Sequence, residues 1–81
     1  MGKELVMAVA STIRHFRKSS DMSQEALADK AGLDRTYISG VERGVRNITL
    51  DSLELIIHAL GISAKSFFTK VSEELDASKA S

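Results

Sequence analysis

Leu5, Val9, Ile13 and Phe16 recur at the three- and four-residue spacing of one helical face, which predicts a first helix from residue 4 to about residue 18 with that face inward. Arg14, Arg17 and Lys18 crowd its end, where positive charge suits the helix dipole, and Ser19-Ser20-Asp21 breaks the pattern. Ser23 is a good N-cap for a second helix over Gln24–Ala31, and Gly32 stops it where a left-handed backbone is needed. Asp34 offers another N-cap, and residues 35–43 run as a third helix to Gly44. Residues 45–48 read as a loop. Thr49 then caps a helix over Leu50–Leu60, whose Leu50, Leu53, Ile56, Ile57 and Leu60 make a broad apolar stripe closed by Gly61. Ser63 caps a last helix from residue 64 to about residue 75, with Phe67, Phe68, Val71 and Leu75 as its apolar positions. The pattern therefore predicts an all-α, compact five-helix domain over residues 1–76 and a short polar tail, residues 77–81, that frays.

The chain centres on the pair of short helices around Gly32. Leu27, Ala28, Ala31, Leu33, Ile38 and Val41 can share one inner surface, and the small Ala28 and Ala31 let the two helices approach closely. The outer side of the third helix keeps Arg35, Thr36, Ser39, Gly40 and Arg43, which supply donors and acceptors with almost no bulk. Such a face suits a nucleic-acid groove. Gly40 stands out, because a glycine inside a helix costs about 1 kcal/mol relative to alanine. It implies close approach by DNA or by another backbone, or else a tolerated defect.

Composition narrows the classes. An apolar fraction of 43% and a charged fraction of 27% describe an ordinary globular chain, and no apolar run approaches the roughly 20 residues of a membrane span. No signal peptide or usual myristoylation pattern is present, so cytoplasm is the expected location. With no cysteine, disulfides and thiolate metal sites are excluded, and His15 and His58 lack a metal-ligand spacing. No P-loop, dinucleotide fingerprint or nucleophile motif occurs; neither a cofactor nor enzyme activity is expected. A formal net charge of zero counts against nucleic acid, but the charge is divided. Residues 1–48 hold eight Lys and Arg against six Asp and Glu, whereas residues 49–81 hold three against five. The helix pair lies in the basic half, and the acidic half could keep non-specific binding weak.

Gln24 at the head of the second helix, Ala28, Gly32 in the turn, Ile38 and Val41 inside, and Glu42-Arg43-Gly44 at the end together resemble the helix-turn-helix family of small bacterial and phage repressors, the XRE or lambda-repressor-like family. The resemblance extends from about Ile13 to Phe68. Within the family, DRTYISGVERGVRNIT looks most like the controller proteins of restriction–modification systems. It implies that Arg17 and Glu42 form a structural ion pair tying the first helix to the end of the third. It also implies that Gln24 meets a DNA phosphate, and that Arg46 and Asn47 contact bases or phosphates beside the recognition helix. Arg35 and Thr36 occupy the first turn of that helix, the part that enters the major groove, where arginine can bond guanine O6 and N7 and threonine can meet a base edge. Ser39 and Arg43 face the same side, with phosphate the natural partner of Arg43. Tyr37 either packs at the core edge or reaches DNA with its hydroxyl.

The last two helices carry more apolar residues than periodicity can place in one small core. Leu55, Ile56, Ile62, Phe67, Phe68 and Val71 are the candidates for a dimer interface. A two-fold dimer would set two recognition helices about 34–36 Å apart on successive major-groove faces. The reading is thus a homodimeric, sequence-specific transcriptional regulator on two-fold-related operators, resembling a controller of its own and the endonuclease gene. Activation would require a surface for RNA polymerase, which the third helix or its flank could supply. Alternatives are a phage-type repressor, an antitoxin, or a helical protein-interaction module that does not read DNA.

Overall fold

The computed structural model describes the backbone of residues 3–80 and the side chains of residues 3–77. Five helices follow in order: α1 Glu4–Ser19, α2 Gln24–Ala31, α3 Arg35–Glu42, α4 Leu50–Leu60 and α5 Ala64–Ala80. Helix α5 continues five residues past the end that its apolar pattern predicts, since Asp76 and Ala77 extend the helix without adding to the core. Ser81 lies outside the described residues.

Three helix ends share one device. After α2, Leu33 N–H bonds the Ala28 carbonyl at 2.9 Å while Gly32 sits at φ 71°. After α3, Val45 N–H bonds the Gly40 carbonyl at 3.0 Å with Gly44 at φ 73°. After α1, Met22 N–H bonds the Arg17 carbonyl at 3.0 Å, and here the left-handed residue is Asp21 at φ 59°. This six-residue closure satisfies carbonyls that the helix end would leave open and reverses the chain within two residues. Ser23 and Thr49 act as true caps, their hydroxyls accepting from Ala26 N–H and Ser52 N–H at 3.0 Å. Asp34 holds the extended cap backbone of α3 but makes no side-chain cap bond.

The core runs through all five helices. Ile13, Leu27, Ile38, Ile56 and Phe67 are fully buried, surrounded by Val9, Ala28, Val41, Leu53, Leu60 and Val71. Helix α1 packs on α5, and the α2–α3 pair is held between α1 and α4. Thr12 enters the apolar face of α1 because its hydroxyl returns a hydrogen bond to the Ala8 carbonyl at 2.7 Å.

The structure corrects several apolar assignments. Ile56, Phe67 and Val71 are buried within the single chain, so they belong to the monomer core and not to a dimer interface. Helical spacing alone could not distinguish the two, because both faces of α4 and α5 carry large apolar side chains. Leu55 and Phe68, each 47% exposed, and the half-buried Ile62 are what the core leaves over. Leu5 and Leu50, expected inside, are instead exposed, Leu50 to 82%. Each lies in the first turn of its helix. Together with Val6 and Phe68 they line one apolar groove that reaches Arg46 and Asn47.

Candidate nucleic-acid interface

Glu42 ends α3 and is 4% exposed, yet it is fully charged-paired. Arg17 Nε donates to Glu42 Oε2 at 2.6 Å, and a second guanidinium nitrogen donates to Oε1 at 2.9 Å, forming the bidentate fork that arginine makes with a carboxylate. Gln24 Nε2 donates to the same Oε1 at 3.1 Å, and Arg14 Nε lies 3.7 Å away. Arg17 spends its third nitrogen on the Met22 carbonyl at 2.9 Å. Among the described residues no buried polar side-chain atom is left without a partner. Burial pushes the Glu42 carboxyl up, but the hydrogen bonds from Arg17 and Gln24 and the charges of Arg17 and Arg14 outweigh it and hold it below the usual carboxylate range. The bond to Glu42 likewise raises the Arg17 guanidinium, against the opposing effect of burial.

One carboxylate therefore fastens three elements: the end of α1 through Arg17, the start of α2 through Gln24, and α3 through its own backbone. This fixes the pose of α3 on the body. Gln24 is half-buried, and its amide nitrogen donates to Glu42. Arg14, placed from the sequence only among the positive charges at the end of α1, has its half-exposed side chain beside the Glu42 carboxylate.

On α3, Arg35, Thr36 and Arg43 are exposed and Ser39 is half-buried, and the spacing of 35, 39 and 43 places them along one ridge. Gly40 departs from the expected outer face. It is buried, and a Cβ there would stand 3.1 Å from the Arg46 Cβ. The close neighbour is thus the following loop of this same chain. Arg46 and Asn47 are exposed, with the Arg46 guanidinium 5.2 Å over the Tyr37 ring and Tyr37 Oη donating to the Asn47 carbonyl at 3.3 Å. Tyr37 is half-buried at the core edge with its hydroxyl engaged inside the chain. The solvent side of α3 and its loop therefore presents three arginines, Arg35, Arg43 and Arg46, with Thr36 and Ser39 between them. Among the described residues no cluster of three His, Cys, Asp or Glu forms a metal centre, and no helix is long and apolar enough to cross a membrane.

A short helix closed by a glycine turn, followed by a second that offers a polar ridge from a rigid body, is the arrangement by which a helix is presented to a DNA groove. The chain belongs to the helix-turn-helix family, whose profile matches residues 13–67, and is of its XRE-like type. Within that family it is similar to the controllers of restriction–modification systems. It is 46% identical over 66 residues to control protein C.BamHI of Bacillus amyloliquefaciens, covering 80% of this chain and 82% of that protein. Its fold superposes on the wild-type restriction–modification controller protein C.Esp1396I with a TM-score of 0.86 at 46% identity, over 88% of this chain and 93% of that one. A second structure, with a TM-score of 0.85 at 46% identity over the same 88% and 93%, is the C.Esp1396I tetramer in complex with its natural 35 base-pair operator.

Proposed function

We propose that this chain is a sequence-specific DNA-binding transcriptional regulator that acts as a homodimer on two-fold-related operators and controls its own gene and that of a companion endonuclease. The observation that carries the reading is the ridge Arg35, Thr36, Ser39 and Arg43, which stays clear of the core while Glu42 at its end is locked to α1 and α2. The operator-bound tetramer of a relative supports double-stranded DNA as the partner and binding by more than one copy of the chain.

In this reading the start of α3 enters the major groove. Arg35 reads guanine through two parallel hydrogen bonds, and Thr36 meets the neighbouring base edge. Arg43 and Ser39 hold the backbone along the ridge, and Asn47 with Arg46 extends the contact into the adjoining loop. At the other edge Gln24 and the unpaired N–H groups of the first turn of α2 face a phosphate, where the helix dipole favours negative charge. Leu55, Ile62 and Phe68 join two copies. Leu5, Val6 and Leu50 adjoin Phe68 and enlarge the apolar area available for it. Contact with RNA polymerase belongs to the exposed flank of α3 when the protein activates.

Selection of bound duplexes from a random pool at near-physiological salt, with Arg35→Ala beside the parent, tests the proposal. A two-fold-related site enriched by the parent and degraded at one position per half-site in the variant is the expected result. Enrichment of no site by the parent at any salt would overturn it and turn the search to a protein partner.

A further inference from the structure

We infer that Gly40 and Tyr37 form a seat that holds the Arg46 side chain in place before DNA arrives, an inference that builds on the DNA-contacting role proposed above for Arg46. Three contacts define the seat. The stem of Arg46 lies against the helix where Gly40 has no side chain: a Cβ there would meet Arg46 Cβ at 3.1 Å, Cγ at 3.6 Å and Cδ at 3.8 Å. Further along the side chain, the guanidinium carbon is 5.2 Å from the centre of the Tyr37 ring, within the range of a cation–π contact. Beneath both, the loop backbone is tied down, with Val45 N–H on the Gly40 carbonyl at 3.0 Å and Tyr37 Oη on the Asn47 carbonyl at 3.3 Å. Residues 37 and 40 are three apart and so share a face of α3, which is why one helical turn can grip stem and head together.

The seat orients Arg46 without covering it, since the residue remains exposed. Gly40 is buried and Tyr37 is engaged within the chain, so both act as positioning residues whose effect passes through Arg46. An arginine already ordered avoids the rotamer freedom that a loose one loses on binding, worth roughly two- to tenfold in affinity. A Cβ at 40 would crowd the arginine stem, which would have to give by a few tenths of an ångström, and that is the displacement the glycine avoids.

The test has a DNA-free arm and a DNA arm. In the free protein, nitrogen-15 relaxation of Arg46 Nε is expected to report an ordered side chain that Gly40→Ala and Tyr37→Leu both loosen; equal mobility in all three proteins overturns the seat, whatever DNA does. With the selected duplex, Gly40→Ala and Tyr37→Leu are each expected to weaken binding roughly two- to tenfold in the parent and to cause no further loss when added to Arg46→Ala. Equal losses in both backgrounds would overturn the inference, because the effect would then not pass through Arg46. If the parent selects no duplex, the proposed function fails, and the relaxation arm still decides the seat. Melting all variants separates loss of fold from loss of positioning.

Discussion

Glu42 concentrates the largest single-residue consequences. Replacing it with glutamine keeps the shape but strands the Arg17 guanidinium, which is 8% exposed, and the expected loss is about 3–5 kcal/mol by thermal or urea denaturation. The pH dependence follows from the depressed carboxyl. Its stabilising effect is therefore complete above the ordinary carboxylate range and is lost as pH falls through the lower folded value. The parent should therefore lose stability in acid faster than Glu42→Gln does, as urea midpoints at descending pH would reveal. Arg35 and Arg43 differ in a way that binding resolves. Arg35→Ala is expected to cost about 1–3 kcal/mol on the preferred duplex and little on random DNA. Arg43→Ala should weaken both alike and reduce the salt slope by about one. Equal losses for Arg35→Ala on the two DNAs would remove it from base reading.

Among the elements, helix ends set the geometry of the motif. Ser23 and Thr49 make side-chain cap bonds, whereas Asp34 occupies a cap position without one. Ser23→Ala and Thr49→Ala are each expected to cost about 1 kcal/mol. Asp34→Ala should stay within about 0.5 kcal/mol, and an equal loss would show that its charge on the α3 dipole matters more than the missing bond. Gly61 sits at φ 74° with open space around its would-be Cβ, so Gly61→Ala measures left-handed strain alone, about 1–2 kcal/mol in melting experiments.

For the whole molecule, the division between core and surface on α4 and α5 decides which apolar side chains are left for the proposed dimer. Phe67→Ala opens a fully buried site and is expected to cost about 3–5 kcal/mol in chemical denaturation. Leu55→Asp and Phe68→Asp alter exposed positions; they should leave helicity intact while shifting sedimentation from dimer to monomer. A dimer that survives both substitutions would move the interface elsewhere, with the exposed Leu5 and Leu50 the next positions to change.

The all-α architecture and four of the five helix spans were legible in the chain itself, because caps, terminating glycines and apolar spacing are local signals: Ser23, Gly32, Thr49 and Gly61 each act within their own turn. The inner face of the helix pair was legible for the same reason. What tertiary structure alone decided was the use of each side chain that has two plausible homes. Ile56, Phe67 and Val71 entered the monomer core while Leu55 and Phe68 did not, since periodicity shows that a face is apolar but not which neighbour covers it. The same holds at Gly40. A helical glycine announces a close approach in the sequence, but only the fold, by turning the chain back at Gly44, brings Arg46 to fill that space.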